Sequence, residues 1–280
     1  MARYTHGHDE SVLRSHRWRT AENSAAHLLP HLRAGASLLD VGSGPGTITA
    51  DLAALVAPGR VTALEATEGA LALTESELRR RGVVAGLVVG DAHDLPFPDD
   101  TFDVVHAHQV LQHVADPVRA LTEMHRVCRP GGTVAVRESD YAGFTWWPPL
   151  PALDRWLALY EQAARANGGE PDAGRRLLAW ARAAGFEAPS VGASTWCFAT
   201  PEDRAYWGGM WAARIVDSAL ADQLVDEHRC DVEELEEISR GWRTWTEHPD
   251  GWFVVLHGEL VAHPLGPARA TRAQRDGRAG

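Results

Sequence analysis

The sequence has few cysteines, no long apolar run and fewer basic than acidic residues. Its three cysteines, Cys128, Cys197 and Cys230, are too few and too scattered for a disulfide framework or a clustered zinc site. No stretch of about eighteen apolar residues offers a membrane span, and the first residues lack the apolar run of a secretory signal. We therefore predict reduced thiols, no membrane partner and a cytoplasmic location.

The excess of acidic residues limits the kind of partner. Asp and Glu number 38 against 27 Lys and Arg, so the formal net charge is −11 at pH 7. A negatively charged surface repels the phosphates of nucleic acids. We therefore predict no nucleic-acid partner and a small-molecule substrate, and we leave open whether the chain is a monomer or a homodimer.

Apolar runs and helical patterns alternate along residues 37–138, as they do in a parallel sheet with crossover helices. Five strands are predicted here, and two more follow later in the chain. The seven predicted strands are 37–41, 60–65, 86–90, 102–107, 133–138, 191–198 and 251–261. We predict an α/β fold with a doubly wound, mostly parallel, seven-stranded Rossmann-like sheet and an inserted helical cap.

The clearest predicted helix is 116–128, with Asp116 as its N-cap and Pro117 at its first helical position. Residues 143–151 are rich in proline and tryptophan and predict a lid or linker, because proline lacks the donor that a central strand needs. Further helical patterns cover 153–167, 172–184 and 201–245, the last in two or more pieces.

A glycine-rich turn joins the first predicted strand to the first helix. Residues 40–46 read Asp-Val-Gly-Ser-Gly-Pro-Gly. Glycines allow positive backbone dihedrals and a close approach to a ligand, and the following helix presents unpaired N–H groups. Glu65 ends the second strand nineteen residues beyond Gly46, where a doubly wound sheet places an acid that accepts ribose hydroxyls. The pattern predicts a nucleotide-like ligand.

This turn resembles the glycine motif of class I S-adenosylmethionine-dependent methyltransferases, in the branch that includes ubiquinone- and menaquinone-biosynthesis enzymes. Two further segments, 90–103 and 126–132, are similar to later motifs of the same branch. The resemblance spans about residues 37–138. Three motifs in the same order and at suitable separations are much more specific than a glycine loop alone.

The resemblance implies S-adenosylmethionine as the cofactor and a small-molecule methyl acceptor. Asp40 would hold the amino group of the methionine part, directly or through water, Glu65 would bind the ribose, and Asp91 would bind the adenine amino group. The implied cofactor-binding residues of the sheet are Asp40, Gly42, Ser43, Gly44, Gly46, Glu65, Ala66, Asp91, Ala92, His108 and Gln109. The N-terminal arm is similar to a segment that folds over the cofactor in related enzymes, where the carboxylate would be reached by Tyr4, His16 and Arg17.

These assignments divide the chain into four parts. We predict an N-terminal arm or helix that folds over the cofactor in residues 1–30, and an S-adenosylmethionine-binding core in 31–140. Cap helices and the remaining sheet strands occupy 141–263. The last part, 264–280, has spaced arginines and few apolar residues, which predicts a disordered tail.

A catalytic base and a metal are both optional in this chemistry, because the methyl group of a sulfonium is already activated. His113 is the candidate base, since it follows the carboxyl end of a central strand. The alternative is a histidine that caps or packs. His106 and His108 share one strand face, but no carboxylate or cysteine at ligand spacing completes a metal site, so we predict no metal.

Tryptophan is abundant, with eleven residues, and seven of them fall between positions 146 and 211. Any single tryptophan could simply pack between helices. Their concentration nevertheless predicts an aromatic-lined acceptor pocket under a cap. The candidate acceptor-binding residues are Trp146, Trp147, Trp196, Trp207 and Trp211. A hydrophobic, natural-product or quinone-like acceptor would fit such a pocket, which suggests secondary metabolism.

Two other functions share part of this pattern. A nicotinamide-dependent oxidoreductase also has a glycine loop and a ribose acid, but its usual Gly-Xaa-Gly-Xaa-Xaa-Gly spacing differs from residues 42–46. A non-catalytic cofactor-binding protein could use the same fold without turnover, because fold alone does not establish activity.

Overall fold

The computed structural model describes residues 18–265. Tyr4, His16 and Arg17, which are predicted to reach the cofactor, lie outside the described residues, as does nearly all of the predicted tail. No helix within residues 18–265 has both the length and the apolar character needed to cross a bilayer.

Eight strands form one sheet. They are β1 Ser37–Val41, β2 Arg60–Glu65, β3 Gly86–Val89, β4 Phe102–His108, β5 Cys128–Ser139, β6 Thr145–Trp147, β7 Ser190–Phe198 and β8 Trp252–Ala262. The order β3-β2-β1-β4-β5 is parallel throughout, and β8 then pairs with β5 antiparallel. Both β6 and β7 pair with β8, also antiparallel. The predicted mostly parallel α/β sheet is confirmed, and the three-residue β6 adds a strand that the proline-rich segment did not predict.

Nine α-helices of the described residues connect and cover these strands. They are α1 Ala21–Ser24, α2 Thr47–Val56, α3 Glu68–Arg81, α4 Pro117–Val127, α5 Pro151–Ala166, α6 Leu177–Ala183, α7 Pro201–Arg214, α8 Ala219–Asp226 and α9 Val232–Glu247. Helix α4 begins as its sequence predicts, because the Asp116 side chain accepts a hydrogen bond from the Arg119 N–H. The helical region predicted for 201–245 is three helices, since Ser218 and Asp231 each cap a new one.

The central strands are covered on both faces, which explains their continuous apolar sequences. All seven residues of β4 are buried. Residues from α1 and α2 pack on one face of the parallel half, and residues from α4 and α6 pack on the other. A separate apolar cluster joins α5, α7 and α9 to β6, β7 and the start of β8. This third cluster forms the cap and lies beside the carboxyl-terminal end of the parallel sheet.

Tryptophan rings dominate the core of the cap. Trp156 is fully buried, and its ring centroid lies 4.6 Å from that of Trp211 and 4.9 Å from that of Trp242, in both cases edge to face. Trp245 is also fully buried and lies edge to face with Trp242. Such contacts add to the free energy gained by removing large rings from water. Part of the tryptophan content therefore stabilises the cap.

We predict that Trp156→Ala lowers the free energy of unfolding by about 3–5 kcal/mol, because a buried ring is lost and a cavity remains. Denaturant unfolding followed by circular dichroism measures this change. The matched control is Trp147→Ala, because Trp147 is 55% exposed. An equal loss of stability in both variants would show that the packing around Trp156 is not decisive.

Candidate active site at the carboxyl-terminal edge of the sheet

The glycine turn between β1 and α2 has a backbone that only glycine tolerates well. Gly42, Gly44 and Gly46 have φ of 70°, 56° and 82°. The Leu64 carbonyl accepts the Gly42 N–H at 2.8 Å, and a Cβ atom at Gly46 would lie 2.9 Å from the Cα of Thr74. A Cβ atom at Gly44 would meet nothing within 4 Å. The turn is therefore closely packed on its inner side and open beside Gly44.

Thr74 on α3 fixes this turn from outside, a role that no sequence motif predicted. Its hydroxyl donates to the Gly44 carbonyl at 2.6 Å and lies 2.9 Å from the Ser43 hydroxyl. Thr74 is completely buried, in a helix that is otherwise largely exposed. A predicted cofactor residue, Ser43, is thus engaged in holding the turn.

Two acidic side chains stand at neighbouring strand ends next to the turn. Glu65, at the end of β2, accepts the Gly44 N–H at 2.5 Å. Asp91 follows β3 and accepts the His93 N–H at 2.9 Å, and this hydrogen bond lowers the pKa of its carboxyl group. The Gly90 N–H donates to the Glu65 carbonyl, which brings the two acids together. The structure therefore assembles the glycine turn and both predicted nucleoside acids on one rim, beside the exposed Ala66 and the buried Ala92.

Asp40 lies beneath this rim. Asp40 is 3% exposed. One of its carboxylate oxygens accepts a hydrogen bond from the Thr49 hydroxyl at 2.5 Å, and the other accepts one from His106 Nδ1 at 2.8 Å. Buried charges are usually paired in this way. In this structure Asp40 ties β1 to β4 and α2, and its predicted contact with the amino group of the cofactor stays a prediction. His106 is likewise a hydrogen-bonded residue of the interior.

The residue that follows β4 connects several parts of the site. Gln109 has a positive φ of 54°. Such a backbone conformation is uncommon for residues other than glycine, and where it occurs it is often at a functional site. Its Oε1 accepts from Arg19 at 2.6 Å, and its Nε2 donates to the Ser139 hydroxyl at 2.7 Å and to His257 at 2.9 Å. His108, one position earlier, is 6% exposed and packs against Trp196 and His257.

A buried carboxylate holds the loop after β4. Glu138, on β5, is fully buried and accepts the N–H groups of Val110, Leu111 and Gln112 at 2.8–3.2 Å. Burial raises the pKa of this carboxyl group to about 7, although the three N–H donors act in the opposite direction. Glu138 was predicted only as the last residue of a strand, and its role in holding this loop was not predicted.

His113, the candidate base, lies at the end of this loop. Desolvation of the half-buried ring and the positive charge of Arg19 lower its pKa to about 3. The ring is therefore neutral near pH 7 and is a weak proton acceptor. General bases are most effective when their pKa lies near the working pH, so the structure disfavours this predicted role.

A cavity lies between the ends of β4 and β5 and the cap. Gln109 and Ser139 line it on the sheet side, and Trp196, Trp207 and Trp211 supply aromatic walls. The space that the centres of water molecules can occupy in it is about 20 Å³. The cavity therefore has room for one or two waters. The structure thus brings three of the five candidate acceptor-binding tryptophans together around one cavity.

The other two candidates do not reach this cavity, which corrects that part of the prediction. Trp146 stacks on Phe253 with ring centroids 5.6 Å apart, and Trp147 is 55% exposed. Both belong to β6, which pairs with the first residues of β8. This pairing holds the Trp146 ring against the core of the cap and leaves the Trp147 ring at the surface.

The sequence is similar to methyltransferases over almost its whole length. A family model described as a methyltransferase domain matches residues 39–136. An uncharacterized methyltransferase of Schizosaccharomyces pombe is 35% identical over 269 residues, which cover 92% of this chain and 95% of the yeast protein. The chain belongs to the class I S-adenosylmethionine-dependent methyltransferases.

Other comparisons agree with this membership. A ubiquinone/menaquinone biosynthesis C-methyltransferase of Psychromonas ingrahamii is 36% identical to this methyltransferase over 139 residues, covering 45% of this chain and 55% of the other. The fold is similar to that of the YcgJ protein of Bacillus subtilis, with a TM-score of 0.56 and 19% identity over 86% of this chain and all of the other. The fold of the [4+2]-cyclase SpnF is also similar, with a TM-score of 0.52 and 23% identity, covering 91% of this chain and 82% of the cyclase.

We predict that Glu65→Ala weakens S-adenosylmethionine binding to this methyltransferase by about 1–3 kcal/mol, because hydrogen bonds to a charged carboxylate are lost. Titration calorimetry measures the affinity. Glu68→Ala, at an exposed position three residues further on, is the matched control. Unchanged affinity in the Glu65 variant would count against the assigned rim.

The raised pKa of Glu138 makes the stability of the protein depend on pH. The folded protein holds this proton up to about pH 7, whereas the unfolded chain releases it near the ordinary value of 4.5. The resulting stabilisation is complete below pH 4.5 and is lost as the pH rises through 7. Relative to Glu138→Gln, the wild-type protein should therefore lose on the order of 3 kcal/mol of unfolding free energy over this window.

Denaturant unfolding at several values between pH 4.5 and pH 8 tests this. Glu187→Gln, at an exposed position, is the control and should follow the wild-type pH dependence. Parallel curves for wild type and Glu138→Gln would contradict the assigned titration.

Proposed function

We propose that this methyltransferase methylates a small, hydrophobic or aromatic molecule bound in the cavity between the sheet and the cap. The observation that carries the proposal is the adjacency of this aromatic cavity to the glycine turn. Gln109 lines the cavity, and a Cβ atom at Gly42 would collide with the side chain of the next residue, Val110. Donor and acceptor would therefore meet across one short loop.

The residues at the rim fit S-adenosylmethionine. The open side of Gly44 leaves space for close approach, Glu65 can accept ribose hydroxyls, and the half-exposed Asp91 carboxylate can accept from an adenine amino group. When bound, S-adenosylmethionine supplies a methyl group whose bond to the sulfonium sulfur breaks as a lone pair of the acceptor forms the new bond, giving S-adenosylhomocysteine and one released proton. The protein has to align the two molecules and exclude water.

The cap residues provide this exclusion. The aromatic walls of the cavity are buried, with Trp196 at 5%, Trp207 at 7% and Trp211 at 1% exposure. An acceptor larger than one or two waters would need the side chains that line the cavity to move apart. Closure around the acceptor would then remove water from the reacting atoms, while Gln109 and Ser139 present polar groups on the sheet side.

The similarity to the ubiquinone/menaquinone biosynthesis enzyme covers less than half of this chain, so its acceptor is not carried over. The nicotinamide-dependent alternative has no support from the family that the chain belongs to. Because a [4+2]-cyclase shares the fold, methyl transfer has to be demonstrated by its product.

The direct test is formation of S-adenosylhomocysteine. The full-length protein is incubated with S-adenosylmethionine and matched panels of hydrophobic aromatic compounds, polar metabolites, and macromolecules, and products are measured by liquid chromatography and mass spectrometry. We expect turnover with members of the aromatic panel and a reduced rate in Glu65→Ala. Cofactor binding without product would favour a non-catalytic protein, and methylation restricted to the other two panels would contradict the proposed acceptor class.

We predict that His113→Asn lowers kcat by less than about tenfold with an acceptor from the active panel. A required general base would contribute roughly a hundredfold to ten-thousandfold, and a pKa of about 3 is unsuited to that role. The rate of S-adenosylhomocysteine formation from pH 6 to pH 9 provides the measurement. A loss greater than a hundredfold, with cofactor affinity unchanged, would restore His113 as the base.

A further inference from the structure

The His93 side chain links Asp91, the predicted adenine acid, to the start of helix α4. Its Nδ1 lies 2.6 Å from Asp91 Oδ1. Its Nε2 lies 3.3 Å from the backbone nitrogen of Asp116, the residue that caps α4. The ring is 21% exposed, so it stands at the surface with both nitrogens in contact with protein groups.

These two contacts determine where the hydrogen atom of the neutral ring lies. The Asp116 backbone N–H can only donate, so the lone pair of His93 Nε2 accepts it. The single N–H of the neutral ring is then on Nδ1, and it donates to Asp91 Oδ1. The contact with α4 thus makes His93 a hydrogen-bond donor that is directed at the acid.

Both hydrogen bonds from His93 go to the same oxygen of the Asp91 carboxylate. The backbone N–H of His93 donates to Oδ1 at 2.9 Å, in addition to the ring Nδ1. Within residues 18–265, no hydrogen bond or ion pair reaches Oδ2. The Asp91 side chain is 54% exposed. The carboxylate is therefore held by one oxygen, and the other oxygen is accessible to a donor on a ligand.

Helix α4 also holds the turn to which both residues belong. Arg119 Nε donates to the His93 carbonyl at 2.8 Å. The Glu123 carboxylate accepts the Leu95 N–H at 2.9 Å, and Arg126 Nη2 donates to the Leu95 carbonyl at 2.9 Å. Residues 119, 123 and 126 lie on one face of the helix. His93 is thus attached to a fixed element, which is what a side chain needs in order to orient another.

We infer that His93 is a positioning residue that orients the Asp91 carboxylate so that Oδ2 accepts the adenine amino group, and that it thereby sets the preference of this methyltransferase for adenine. The inference rests on the proposed function, in which Asp91 accepts from that amino group. A carboxylate that is already held in one rotamer loses less conformational entropy when the ligand binds. It therefore distinguishes more strongly between a base that has the amino group and one that lacks it.

Two ligands that differ in one group measure this preference without knowledge of the methyl acceptor. The full-length protein is titrated by calorimetry with S-adenosylhomocysteine and with its 6-deamino analogue, in which a hydrogen atom replaces the adenine amino group. The preference is the ratio of the two dissociation constants. We expect the wild-type protein to bind S-adenosylhomocysteine at least about tenfold more tightly, and Asp91→Ala to reduce this ratio to about twofold or less.

Variants of His93 then test the donor. His93→Phe keeps a ring but has no N–H, and it should reduce the ratio at least about threefold. His93→Asn places an amide N–H near the position of Nδ1 and should keep at least about half of the wild-type ratio. His125→Phe, at a partly buried position on α4, is the matched control and should keep the full ratio. If His93→Phe is unstable in a thermal melt, His93→Gln replaces it, because glutamine moves the amide one bond further from Asp91.

The two ligands also separate positioning from a structural role. If His93 positions Asp91, His93→Phe weakens S-adenosylhomocysteine and leaves the affinity for the 6-deamino analogue within about twofold. A structural role would weaken both ligands equally, and the unchanged ratio would overturn the inference. A ratio in His93→Asn as low as that in His93→Phe would contradict donation by Nδ1.

Failure of the inference differs from failure of the proposed function. An unchanged ratio in Asp91→Ala would remove Asp91 from the adenine position and would overturn the inference with it. A ratio that is lost in Asp91→Ala but kept in His93→Phe would overturn the inference alone. The proposed function is tested by a separate measurement, the formation of S-adenosylhomocysteine from the acceptor panels, and the ratio of dissociation constants does not depend on it.

Discussion

The backbone of the turn between β1 and α2 is the constraint on which the site depends. A side chain at Gly42 would strike Val110 after β4, and one at Gly46 would strike Thr74 on α3. The turn is therefore in contact with both neighbouring elements, and its left-handed glycines cannot be exchanged without strain. Because the turn is held in this way, its open side at Gly44 has a defined position next to the carboxylate of Glu65.

Buried carboxylates give the same region its rigidity. Asp40 connects β1 with β4 through His106, and Glu138 holds three successive N–H groups of the loop that follows β4. Satisfied polar groups in a low-dielectric interior restrict the geometry more than apolar packing does. The cofactor side is thus largely formed in advance. In the cap, by contrast, Trp211 both packs on Trp156 and lines the cavity beside Gln109, so the shape of the cavity and the packing of the cap depend on the same ring.

Much of the cofactor side could be predicted because its signals are local. Both ends of strands β1 to β4 were predicted to within one residue. The N-cap of α4 was also predicted correctly. The exception is β5, which begins at Cys128 although proline and glycines follow, because a register shift opposite Phe102 and Val104 accommodates them. The cap was less predictable. The sequence predicted the same acceptor-binding role for Trp147 and Trp196, yet Trp147 is exposed and Trp196 lines the cavity.

The sequence by itself determined the fold class, the family and the residues of the glycine turn, because each depends on short segments whose spacing reflects backbone geometry. Only the tertiary structure decided which distant side chains meet. Burial makes His113 a weak base, strand pairing moves Trp146 away from the cavity, and helix α7 brings Arg214 into it. These outcomes depend on desolvation and on contacts between residues far apart in the chain, and no local pattern encodes either.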